Sequence, residues 1–147
     1  MAKERVPTDT LLRRLFKTSS LNRFVENLEK SGQDAPPFHI YIKQLCDEKE
    51  TPAEQVIKKA GIERTHGHKF FNGTRNPSRD KVLQLAFGFG LDCAGAQKLL
   101  TLAKRGALYP KIKRDAVIIY ALERELDITT LQEKLHNLQL PLLGAEK

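Results

Sequence analysis

The chain has 147 residues, 40% hydrophobic and 29% charged, which is enough apolar material for one domain with its own core and argues against wholesale disorder. No apolar stretch approaches the ~20 residues of a membrane-spanning helix. Cys46 and Cys93 stand far apart with no C-x-x-C, arguing against a disulfide scaffold and a cysteine-rich metal site. The formal net charge of +7 is concentrated in two segments. In the first, Lys58, Lys59, Arg64, Lys69, Arg75, Arg79 and Lys81 are set against only Glu63 and Asp80. In the second, residues 98–114 hold Lys98, Lys104, Arg105, Lys111, Lys113 and Arg114 with no acid. Two such segments on one face would suit a polyanion, while a solvated, charge-mixed surface is the plain alternative. The opening Met1-Ala2-Lys3-Glu4-Arg5 leads into mixed charged and apolar residues, so no secretory signal is expected and a cytoplasmic protein is.

In chain order the punctuation is helical throughout. Leu11, Leu12, Leu15 and Phe16, then Leu21, Phe24, Val25 and Leu28, predict two short amphipathic helices broken near Thr18-Ser19-Ser20, where hydroxyls can cap. Ser31-Gly32-Gln33-Asp34-Ala35-Pro36-Pro37 is the clearest linker, because glycine and two prolines stop a helix. Phe38, Tyr41, Ile42 and Leu45 predict a helix ending near Lys49. Thr51-Pro52-Ala53-Glu54 predicts the next start, with threonine as cap and Glu54 reaching back to it. That helix runs to Ala60 and stops at Gly61. Another passes through Phe70 and Phe71 to a left-handed end at Asn72-Gly73. Pro77 and Ser78 start the helix of Val82, Leu83, Leu85 and Ala86. Asp92 caps one with Ala96, Leu99, Leu100 and Ala103. Two more are expected over about 113–126 and 130–137, the last opened by Thr130-x-x-Glu133.

A helix, a closing glycine, a short turn and a second helix form the physical signature of a helix-turn-helix, whose second helix can enter a major groove about 12 Å wide. An αα-corner also serves plain core packing. Glu54-Gln55-Val56-Ile57-Lys58-Lys59-Ala60-Gly61-Ile62, followed by Phe70, Gly73, Pro77, Ser78, Leu83, Leu85, Ala86 and Leu91, resembles the phage-repressor/Cro-type (XRE) family. Gly73-Thr74-Arg75-Asn76-Pro77-Ser78 fits the family's G-x-x-x-P-S segment, and the likeness covers about residues 38–104. It implies an all-α, lambda-repressor-like helix-turn-helix bundle at 36–106. Residues 1–35 would be an N-terminal helical extension and linker, and 107–147 two extra C-terminal helices, a candidate dimerisation element.

The resemblance implies a sequence-specific transcriptional regulator that reads double-stranded DNA with the helix around 63–72. Arg64, Thr65, His68 and Lys69 would meet base edges; Lys58, Lys59, Thr74, Arg75 and Arg79 would meet the backbone. Arginine suits guanine O6 and N7 together, and threonine suits a thymine methyl. Three positions depart from the family pattern. Ala53 stands where glutamine is frequent, Ile57 where a small alanine is usual, and Gly67 where an aliphatic is usual. A bulky residue at 57 and none at 67 would compensate each other.

Other motifs carry less. Gly88-Phe89-Gly90 starts like a dinucleotide loop, but Gly95 comes two residues late and no strand precedes it. His66 and His68 fall on different sides of a helix, which suits no metal, and His39 and His136 are isolated. No catalytic constellation, cofactor or metal is expected. The apolar run Ala116–Leu122 either buries against the domain or forms a homodimer seam. The alternative function is a protein-binding adaptor or antitoxin-like module, contacting its partner through the N-terminal helices or the Leu138–Leu143 tail.

Overall fold

Glycines in the left-handed region and acceptor side chains at helix starts cut the chain into short helices, as seen in a computed structural model that describes residues 6–32 and 34–145. The Met1–Arg5 opening, Gln33 of the predicted linker, and Glu146 and Lys147 lie outside the described residues. Among the described residues every regular element is an α-helix, and no helix is long and apolar enough to cross a membrane. The chain divides at Pro36 into two units.

The first unit holds α1 (Thr8–Lys17) and α2 (Leu21–Ser31). The chain turns extended at Thr18, Ser20 accepts the Arg23 amide, and Gly32 closes α2 at φ +70°. Neither helix has a buried residue, and Leu12, Leu15, Phe16, Leu21 and Val25 stay exposed.

The second unit contains α3 (Phe38–Glu48), α4 (Ala53–Ala60), α5 (Arg64–Phe71), α6 (Arg79–Phe89), α7 (Cys93–Leu102), α8 (Lys113–Glu123) and α9 (Ile128–Asn137). α6 is its axis, with every residue from Val82 to Phe89 buried. Two starts differ from the sequence expectation. Pro52, not Thr51, precedes α4; the Thr51 hydroxyl donates to the Lys49 carbonyl, and Glu54 turns away to Arg64 and His68 on α5. α9 opens at Ile128 because Asp127 accepts the Thr130 amide at 2.8 Å, a stronger acceptor than the threonine of the expected box.

The apolar run in α8 is largely inside its own unit: Ile118, Ala121 and Leu122 are buried. Residues 107–145 thus pack into the same unit as the preceding helices. They also repeat them. At a constant offset of 35 residues, Arg79-Asp80 recurs as Arg114-Asp115, Asp92 as Asp127, Gln97 as Gln132 and Leu108 as Leu143. Each recurring residue does the same job twice. Asp92 and Asp127 cap α7 and α9. Gln97 holds both backbone groups of Leu108, as Gln132 holds those of Leu143. Lys104 and Gln139 both take left-handed backbone, at φ +60° and +59°.

The two hairpins, α6–α7 and α8–α9, lock crosswise. Arg79 forms a two-pronged pair with Asp115, and Arg114 with Asp80. Arg79 also donates to the Gly106 and Ala107 carbonyls, and Arg114 to the equivalent Pro141 and Leu142 carbonyls. The Tyr109 amide reaches Asp115 and the Gly144 amide reaches Asp80, each at 3.0 Å. Both aspartates are buried. Burial pushes the Asp80 carboxyl up, but Arg114, the Gly144 amide and Arg79 outweigh it and hold it below the usual range. Removing one partner of such a pair costs about 3–5 kcal/mol, because the other charge is left buried.

Candidate nucleic-acid interface

α4 and α5 are joined by a turn whose geometry the sequence dictates locally. Gly61 sits at φ +71°, where a Cβ would be strained, and its amide returns to the end of α4. Ile62 is buried and its amide bonds to the Ile57 carbonyl at 3.2 Å, fixing the exit angle. Glu63 then caps α5 by accepting the Thr65 and His66 amides at 3.0 and 2.8 Å. The His66 and Thr65 amides hold the Glu63 carboxyl below the usual range.

The inward side of α5 is Gly67, Phe70 and Phe71, all buried. A Cβ on Gly67 would lie 2.6 Å from Ile57 Cγ2 and 2.8 Å from Cγ1. The expected compensation between Ile57 and Gly67 is therefore a direct contact: the missing methyl is the space that Ile57 fills. Arg64 and Thr65 are exposed on the outward side, and His68 and Lys69 are half-buried.

Glu54 ties two of these residues together. Its Oε1 pairs with Arg64 Nε and lies 3.1 Å from His68 Nε2. Those hydrogen bonds, from Arg64 first and then His68, keep the Glu54 carboxyl below its ordinary range. His66 points elsewhere, edge-on to Phe70 with ring centroids 4.7 Å apart. Burial first, then Lys81 and Arg75, depress its ring below the usual histidine value. The two histidines diverge.

Thr74 and Arg75 are exposed just beyond α5, where Asn72 Oδ1 accepts the Thr74 amide and hydroxyl. Gly73 is required there, at φ +81° with the His39 ring 2.9 Å from where a Cβ would stand. Asn76 Nδ2 donates to the Ala103 carbonyl at 3.1 Å, and Arg105 Nε to the Pro77 carbonyl at 3.0 Å. These two bonds draw the start of the second basic segment to the end of the first. Arg75 and Lys104 consequently line one cleft, with Phe38 and Phe70 in its wall.

Three expected backbone contacts lie away from this cleft. Lys58 and Lys59 are exposed but line another cleft, with Lys49, the end of α6, and Glu125 and Asp127 of the α8–α9 turn. Arg79 is committed to Asp115 and two carbonyls, so its guanidinium fastens α6 to α8 instead of standing free for a phosphate. The parts that Glu54, Asn76 and Arg105 play here do not show in the sequence. The only signal for Glu54 is its position across the turn from Arg64, which the capping pattern masks. No family model, curated protein or solved structure matches this chain.

Proposed function

We propose that the protein is a sequence-specific DNA-binding regulator of transcription, a repressor-like bundle that lays α5 in the major groove. The observation that carries this reading is the outward face of α5. It offers Arg64, Thr65, His68 and Lys69 together, with the exposed Glu54 of α4 holding Arg64 and His68 side by side. Arg64 is the principal base reader. Guanine O6 and N7 would replace the Glu54 carboxylate as its acceptors, and the exposed guanidinium is free to make that exchange. Thr74, Arg75, Lys104 and Arg105 supply backbone contacts at the far end of the helix, and Lys58 and Lys59 flank the other end.

Duplexes selected from a random pool give the preferred site, and Arg64→Ala then tests the assignment. Its affinity for that site should fall about 5- to 150-fold, the equivalent of ~1–3 kcal/mol, with a much smaller loss on scrambled duplex. Equal losses on both would make Arg64 a backbone contact. A second reading, a protein-binding adaptor or antitoxin-like module, is favoured by the exposed apolar faces of α1 and α2. Failure of the wild-type chain to enrich any duplex would transfer the assignment to it.

A further inference from the structure

The tandem hairpins differ in what covers them. In the first, Val82, Leu85, Leu99 and Ala103 are 0–1% exposed, and Phe38 of α3 and Phe70 of α5 stand beside the end of α7. Their counterparts at the 35-residue offset are Val117, Tyr120, Lys134 and Leu138. These line an open, mostly apolar groove between α8 and α9, where Tyr120 is 46% and Leu138 60% exposed. Equivalent positions are therefore covered within the unit in the first hairpin and open in the second.

The rim of the empty groove states the chemistry of its occupant. The Arg124 guanidinium sits 3.8 Å from the Tyr120 ring centroid, with Lys134 Nζ on the same ring at 5.9 Å. Two such grooves laid face to face would oppose like charges, so the occupant must bring apolar side chains with a carboxylate at their margin. α2 has that pattern. Leu21, Phe24, Val25 and Leu28 follow helical spacing along one stripe, and Glu29 follows Val25 by one turn at its edge. Leu21 and Val25 are exposed.

We infer that α2 of a second copy of this chain docks in the α8–α9 groove, giving a dimer held by reciprocal exchange. The inference is independent of whether α5 reads DNA. Sedimentation of the full-length chain at tens of micromolar tests it, and a dimer is expected. Tyr120→Glu, Leu138→Glu and Val25→Glu each alter an exposed side chain, so circular dichroism should be unchanged while the dimer weakens at least tenfold. Lys134→Glu should weaken it too, and adding Glu29→Lys should restore most of the loss. A monomeric wild type overturns the inference, as does a dimer indifferent to the groove variants. Loss on Tyr120→Glu with none on Val25→Glu, or failure of the charge exchange to rescue, removes α2 as the occupant.

Discussion

Gly67→Ala should destabilise the protein, although helix propensity alone gives the opposite sign. Alanine is favoured over glycine in a helix by about 0.8–1.0 kcal/mol. The new methyl, however, would stand 2.6 and 2.8 Å from two carbons of Ile57, far inside the ~3.5–4.0 Å optimum between carbon atoms. Ile57 cannot step aside. It is 2% exposed and β-branched, with a stiff χ1 in a helix, so relief must come from moving α5 off α4. Overpacking of this kind costs about 1–3 kcal/mol, leaving a net loss of ~0–2 kcal/mol after the propensity gain. Ile57→Ala alone opens a cavity and should cost about 2–5 kcal/mol. In the double variant the methyl added at position 67 enters the vacated space without a clash. Its cost should lie below that of Ile57→Ala, giving a coupling of about −1 to −3 kcal/mol. Urea unfolding of the four proteins measures this cycle directly. Additivity within ~0.3–0.5 kcal/mol, or a Gly67→Ala protein stabilised by the full propensity gain, would refute the account of how the two helices meet.

Glu54→Gln should leave melting nearly unchanged, raise affinity for every duplex by removing an anion, and narrow the gap between preferred and scrambled sites; fluorescence anisotropy on both reads this out. The Asp80 carboxyl is depressed in the folded state, so its contribution is fully present above the ordinary aspartate value of about 3.9 and is lost as pH falls through the lower folded value. Thermal unfolding should therefore show wild-type stability dropping below about pH 4. Asp80→Asn should be weaker at neutral pH by up to ~3–5 kcal/mol, with a flatter acid limb. Arg75→Ala and Lys104→Ala should each shallow the slope of log K against log salt by about one without altering unfolding. Arg79→Ala should instead lower stability by about 3–5 kcal/mol, as expected of a guanidinium that fastens the fold.

Elements marked by strong local chemistry were legible in the sequence. Gly61 ends α4, Ser78 and Asp92 cap α6 and α7, and the break before Pro36 separates the units. Misreadings arose where two partners compete for one side chain. Glu54 fits a capping box, yet Arg64 and His68 across the turn claim its carboxylate. Arg79 follows a proline and serine like a loop cation, and only the approach of Asp115 reveals its role. The repeat escaped for a different reason. It persists in the residues that make the lock, the caps and a few core positions, while the residues of the outer faces differ. Gly88 lies so close to α4 that a Cβ would meet the Val56 carbonyl at 2.4 Å, whereas its counterpart is the exposed Glu123. The outward residues of α5 were readable because its inward ones, Phe70 and Phe71, are unmistakably apolar.

The crossed lock of the two hairpins has the form of a symmetric homodimer folded into one polypeptide. In a two-fold interface each patch meets its own likeness, and here Arg79-Asp80 meets Arg114-Asp115 in that reciprocal manner. Joining the copies in one chain makes their encounter intramolecular, so this part of the fold holds at any dilution. It also removes independence. Melting either hairpin would strand an aspartate and an arginine in the other, so the two must unfold as one cooperative block. A chain cut at Pro110 would keep α6 and its Arg-Asp pair with no complement, and the nearest complement available to it would be another molecule cut at the same place.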